Sequence, residues 1–209
     1  MQFPRIASKG PAMVTSLKLA SEVFPAALGL RTFTVVQHLR NLQQADRRLI
    51  TFKGHGSSAA HMTPGDAARL LLAVAGSDLV KDSLASLQGF GQLLPVGRAR
   101  DRSRITLEDH FAGFLATVAA EAYGQDAPDD GPDTIALSLI SVAGEGASHP
   151  RAAISYLVSR GAAPLGFAPA DWRAPLASVA DYVAGVKGAG IIRERHLTRR
   201  SIEQIARSL

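Results

Sequence analysis

Cysteine is absent from the 209-residue chain. That excludes a disulfide framework and any thiolate metal site, and it fits a reducing compartment. Aromatic residues are sparse, at 6%. A long apolar run is missing too. The longest, 67–75, is interrupted by Arg69 and falls far short of the roughly 20 residues a helix needs to span a bilayer. The first residues, MQFPRIASKGPAM, carry none of the apolar core of a secretory signal. His38, His55, His61, His110, His149 and His196 show neither HxxxH nor HExxH spacing, and no GxSxG elbow is present. These absences predict a soluble, cytoplasmic protein with no membrane partner, no metal, no cofactor and no catalytic apparatus.

What is present begins with enough apolar character, 46% of residues, to bury a proper core. The modest net charge of +5 is unevenly spread. Residues 1–60 carry eight Lys/Arg against two acids, and residues 105–186 carry three against ten. Residues 187–209 return to six bases against two acids. A basic front and an acidic middle point to an anionic partner meeting the front.

The front also carries the most specific pattern. The stretch VFPAALGLRTFTVVQHLRNLQQADRRLITFKGHGSSAAHMT reads as helix, tight turn, helix, strand, glycine-rich tip and returning strand. Pro25 predicts that the first helix is short or starts near Phe24. Gly29, between Leu28 and Leu30, permits a left-handed turn that lets two short helices meet steeply. The spacing predicts a second helix over 32–45. Val35, Leu39 and Leu42 fall on one face at i, i+4 and i+7. The opposite face carries Phe33, Gln37, Arg40, Asn41 and Gln44. Glutamine and asparagine amides can donate and accept together at an adenine edge, and arginine suits guanine or phosphate. Residues 49–52 read as a strand, 53–58 as a polar basic tip, and 60–62 as the return. Lys53 and His55 on that tip could follow a phosphate backbone and so fix register rather than read sequence.

The segments AALGL, TVVQHLRNLQQA and LITFKG together resemble the turn, recognition helix and wing of bacterial and phage winged helix-turn-helix DNA-binding regulators. The resemblance covers roughly a quarter of the chain. It departs from the superfamily at Asp46, where glycine is common, and at Arg47 and Arg48, inserted ahead of Leu49. Aspartate adopts a left-handed conformation less readily than glycine, while the added arginines suit phosphate contact. The resemblance implies sequence-specific binding of double-stranded DNA, usually by a homodimer. The implied contact residues are Arg31, Phe33, Gln37, Arg40, Asn41, Gln44, Arg47, Arg48, Lys53 and His55.

Behind this segment, Thr63-Pro64-Gly65-Asp66 reads as a capped start for the helix AARLLLAVA, and 78–88 resumes with helical spacing. Arg98 to Arg104, RARDRSR, reads as a solvated linker. Residues 107–123 predict a helix, and 135–142, 152–158 and 191–197 predict strands. Residues 171–183 predict a helix with Pro175 in its first turn. A closing helix over 201–208 would use Ser201 and Gln204 as a capping box. Trp172 and Phe167 read as packing residues. Gly185 to Gly190 reads as a helix C-cap rather than a phosphate loop.

The expected fold class is therefore α+β and helix-rich. It divides into an arm (1–13), a winged helix-turn-helix (14–62), a helical extension (63–94), a linker (95–105) and a small C-terminal α+β domain with a short antiparallel sheet (106–209), for dimerisation or sensing. The competing expectation is a protein–protein or assembly module of a phage packaging or virion-associated kind, marked by an exposed apolar patch around Leu70 to Val74.

Overall fold

A computed structural model of the chain describes residues 14–45, 49–50, 60–96, 105–121, 134–143, 151–157, 162–186 and 191–209. They form an α+β, helix-rich fold around a five-stranded antiparallel sheet.

The N-terminal helical rod joins α1 (Ser16–Lys18) to α2 (Phe24–Leu28) through a π turn over Leu19–Val23. Helix α2 is short and starts at Phe24 with Pro25 in its first turn, as Pro25 predicted, and the π turn carries the helical path back to α1. Proline has no N–H to give the carbonyl four residues back. The Phe24 N–H instead reaches Leu19 O, the wider bond of a π turn. The Ser21 carbonyl, which Pro25 cannot serve, accepts from Thr32 Oγ1 at 3.1 Å. A missing donor in the first helix thus becomes the anchor for the start of the second. Gly29 ends α2 at φ 64°, ψ 30°, and both its N–H and that of Leu30 return to Pro25 O. This left-handed cap is one that glycine adopts at little cost. The next helix, α3 (Thr32–Gln44), buries Val35, His38, Leu39 and Leu42.

Helix α4 (Pro64–Gly76) starts on the full Thr63–Asp66 capping box. Its apolar residues Leu70, Leu71, Leu72, Ala73 and Val74 are buried, which removes the exposed patch expected there. A short 3-10 turn, Val80–Asp82, leads into α5 (Ser83–Gly91). Strand β1 (Leu94–Pro95) follows, at the start of the stretch expected to be linker. Then come α6 (Leu107–Glu121), β2 (Ile135–Ala143), β3 (Ala152–Ser155), β4 (Leu165–Ala168), α7 (Val179–Gly185), β5 (Ile191–Thr198) and α8 (Arg199–Ala206).

The strand order is β1-β4-β3-β2-β5, with every neighbour antiparallel. Alternation gives the sheet two apolar faces. Leu137, Leu139, Ala153, Phe167 and Leu197 enter the larger cluster with the helices. Ile140, Ala152, Ile154 and Ala168 pack beneath Leu176 and Tyr182. Gly166 is needed on that second side, because a Cβ there would collide with the Leu176 backbone. The larger cluster draws buried residues from 14–62, from 63–94 and from 106–209.

Two helix starts differ from expectation. Helix α7 begins at Val179, not near Asp171, because Ser178 and Asp181 form its capping box. Trp172, in the preceding loop, stacks on Tyr182 with centroids 5.6 Å apart. Helix α8 is capped by Thr198, whose Oγ1 accepts from Ser201 N at 3.2 Å. Ser201 Oγ instead donates to Ala27 O at 2.7 Å, tying the last helix to the end of α2.

Candidate nucleic-acid interface

At about 100° of rotation per residue, Phe33, Gln37, Arg40 and Gln44 fall within an arc of about 60° on α3. Val35, His38, Leu39 and Leu42 occupy the other side, and their burial holds the helix on the core. Phe33 is 71% exposed, high for a phenyl ring. Arg40 and Gln44 are exposed and Gln37 is half-buried. Arg31, at the N-cap position, is exposed and makes no side-chain cap. No acidic residue occurs in α3. Among the described residues, no carboxylate pairs with Arg31 or Arg40. The helix thus presents an amide, guanidinium and phenyl surface of positive sign beside the tight Gly29 turn.

Asn41 stands apart from that arc. It sits between the exposed face and His38, and its Nδ2 donates to Val80 O at 2.8 Å and to Ser83 Oγ at 3.3 Å. Its amide nitrogen is therefore engaged within the protein, not turned outward with Gln37 and Arg40. His38 Nδ1 lies 2.8 Å from the same Ser83 Oγ. The Ser83 hydroxyl donates to Val80 O. With that proton on Val80 O, its lone pairs accept from Asn41 and from His38, the arrangement in which the His38 proton sits on Nδ1. Burial lowers the His38 pKa from its ordinary value, which keeps the ring neutral. The inward side of α3 is a satisfied polar lock on the start of α5.

Arg47, Arg48, Lys53 and His55 lie outside the described residues, as does most of the expected wing. Leu49 and Ile50, the described start of its first strand, form a bend, with Leu49 N bonded to Leu42 O at 3.2 Å. On the return, His61 bridges to Thr15 in antiparallel fashion, and Ser16 N donates to Ala60 O at 2.9 Å. The chain leaving the expected tip therefore runs beside the start of α1.

The arginines of β5, within the basic stretch 187–209, are engaged inside the protein. Arg193 Nη1 and Arg195 Nη2 both bind the Asp78 carboxylate. Arg195 Nη1 also donates to Gly76 O at 3.1 Å. Burial, and after it the like charge of Arg193, lowers the Arg195 pKa from its ordinary value.

Two further polar pairs belong to the sheet. His110 Nε2 lies 2.9 Å from the buried Ser155 Oγ, and His196 Nδ1 lies 2.9 Å from the buried Ser138 Oγ. His196 Nε2 lies 3.6 Å from Glu194. Among the described residues, no cluster of three or more metal-ligating side chains occurs, and no helix is long and apolar enough to cross a membrane.

The inward role of His38 was open to sequence reasoning, since it falls one turn from Val35 and Leu42 on the buried side. The role of Ser83 was not, because nothing local distinguishes it from other helix-start serines. No known protein family, curated protein or solved structure matches the chain.

Proposed function

We propose that the chain binds double-stranded DNA through the exposed face of α3, as a sequence-specific transcriptional regulator of bacterial or phage type acting in the cytoplasm as a homodimer. The observation that carries this reading is the acid-free face of Phe33, Gln37, Arg40 and Gln44 on a helix set by a left-handed glycine turn. Gln37 and Gln44 suit adenine edges, Arg40 suits guanine or phosphate, and Phe33 suits a thymine methyl. Asn41, held by Val80 and Ser83, supports the pose of the helix instead of a base contact. Arg31, Arg47, Arg48, Lys53 and His55 would contribute phosphate contacts from the flanks.

One observation favours a second reading. Leu17, Leu30 and Phe33 are 60%, 40% and 71% exposed in the same N-terminal unit, and such apolar side chains suit a protein partner in an assembly role.

The test is an anisotropy titration of the full chain against genomic duplex fragments over a range of salt. Affinity should fall as salt rises. Arg40→Ala and Gln37→Ala should each cost about 1–3 kcal/mol on the preferred duplex. Salt-independent binding, or two variants that bind like the wild type, would overturn the reading. An oligomer assembled without DNA would favour the protein-partner alternative.

A further inference from the structure

The connector between α4 and α5 is held from two sides. On one side, α3 grips it: Asn41 Nδ2 donates to Val80 O and Ser83 Oγ, and His38 Nδ1 meets the same hydroxyl. On the other, the edge strand β5 grips it: Arg193 and Arg195 converge on Asp78, and Arg195 also holds Gly76 O. Asp78 stands two residues from Val80 and five from Ser83, so a shift of the carboxylate moves the groups that fix α3. A Cβ at Gly76 would meet the Phe90 ring at 2.8 Å, so the start of the connector is also packed closely against α5.

We infer that the 76–83 connector is a bracket through which β5 sets the pose of α3, and that Asp78, Arg193 and Arg195 are positioning residues for the exposed face of that helix. The inference rests on the proposed DNA-binding role. Asp78 reaches α3 only along the connector, whose Val80 and Ser83 meet Asn41 and His38, and not at the arc of Phe33, Gln37, Arg40 and Gln44. It acts through other residues and touches no proposed ligand. Its carboxylate is 46% exposed, so replacing it leaves no buried cavity.

The sign of one substitution separates this from simple electrostatics. Asp78→Asn removes one negative charge and so raises the net charge of the chain by one. If charge alone mattered, binding to a polyanion would tighten, most of all at low salt. The bracket predicts the reverse, because both arginines lose their charged partner and the connector loosens against α3. Binding to the duplex that the wild type prefers should weaken about 3- to 30-fold. Amide hydrogen exchange in 32–44 of the free protein should speed up. Asp78→Glu, which keeps a carboxylate within reach of the same two guanidinium groups, should restore most of both. Arg195→Gln combined with Asp78→Asn should cost less than the sum of the two. Unchanged exchange in 32–44, or Asp78→Asn binding as tight as the wild type or tighter, overturns the inference. A wild-type chain that binds no duplex overturns the DNA-binding role instead, and the exchange measurement still decides whether the bracket holds α3.

Discussion

Replacing Ser83 with alanine isolates what holds α3 in place. The Ser83 hydroxyl is fully buried and serves three partners at once: it accepts from His38 Nδ1 and Asn41 Nδ2 and donates to Val80 O. Asn41 keeps its 2.8 Å bond to Val80 O in the variant, so it loses little. His38, only 3% exposed, loses the acceptor of its Nδ1 proton. A buried donor left without a partner costs about 1–3 kcal/mol, whereas a hydrogen bond exchanged for water costs nearer 1. Ser83→Ala should therefore destabilise the chain by about 2 kcal/mol, with His38 the main contributor. For a chain of this length that is a fall in Tm of roughly 4–8 °C. Urea unfolding of the wild type, Ser83→Ala, His38→Leu and the double variant would measure it. The double variant has neither donor nor acceptor, so it should be less destabilised than the two singles added together, with a coupling of about 1 kcal/mol. Strict additivity, or a Ser83→Ala cost below about 0.5 kcal/mol, would show that the lock is not formed and that the hydrophobic face of α3 alone holds the helix.

Two further outcomes follow from the same structure. Gly29→Ala places a Cβ at φ 64°, where an L residue is disfavoured by about 1–2 kcal/mol, with no clash from surrounding atoms. The loss should appear in thermal unfolding, and an unchanged Tm would mean that the α2–α3 turn is not left-handed. Burial lowers the pKa of both His38 and His110 from the ordinary 6.5. The unfolded chain therefore binds more protons than the folded one as pH falls below about 6.5, so stability declines over that range and is regained above it. Urea midpoints at pH 5.0 and 7.5 would show this, and His38→Gln should flatten part of the slope.

Much of the helical architecture was legible because its signals are local. Thr63, Pro64 and Asp66 write out a capping box in four residues, and it forms. The 3.6-residue spacing of Val35, Leu39 and Leu42 gave the buried side of α3 directly. Strands 135–142 and 191–197 alternated clearly enough to be found within a residue or two of β2 and β5. What escaped depends on distant partners. Strand β1 has two residues and exists only because β4 lies beside it, while β4, with Gly166 at its centre, has too little β-forming character to stand out. The start of α7 was misplaced because helical spacing around Pro175 outweighed the capping serine at 178. Asn41 was grouped with the outward residues since it borders their arc, and only the position of Val80 shows which way its amide turns. The same holds for Arg193 and Arg195, whose partner Asp78 is more than a hundred residues away in sequence.

The Ser201 to Ala27 bond spans 174 positions in the chain. A ribosome adding about 5–20 residues per second needs roughly 10–35 s to make the intervening polypeptide. During synthesis the first helices must therefore wait, with the surface later covered by Ile202 and Ile205 still open to water. Docking of α8 onto α2 is therefore a late event relative to the synthesis of its partner surface.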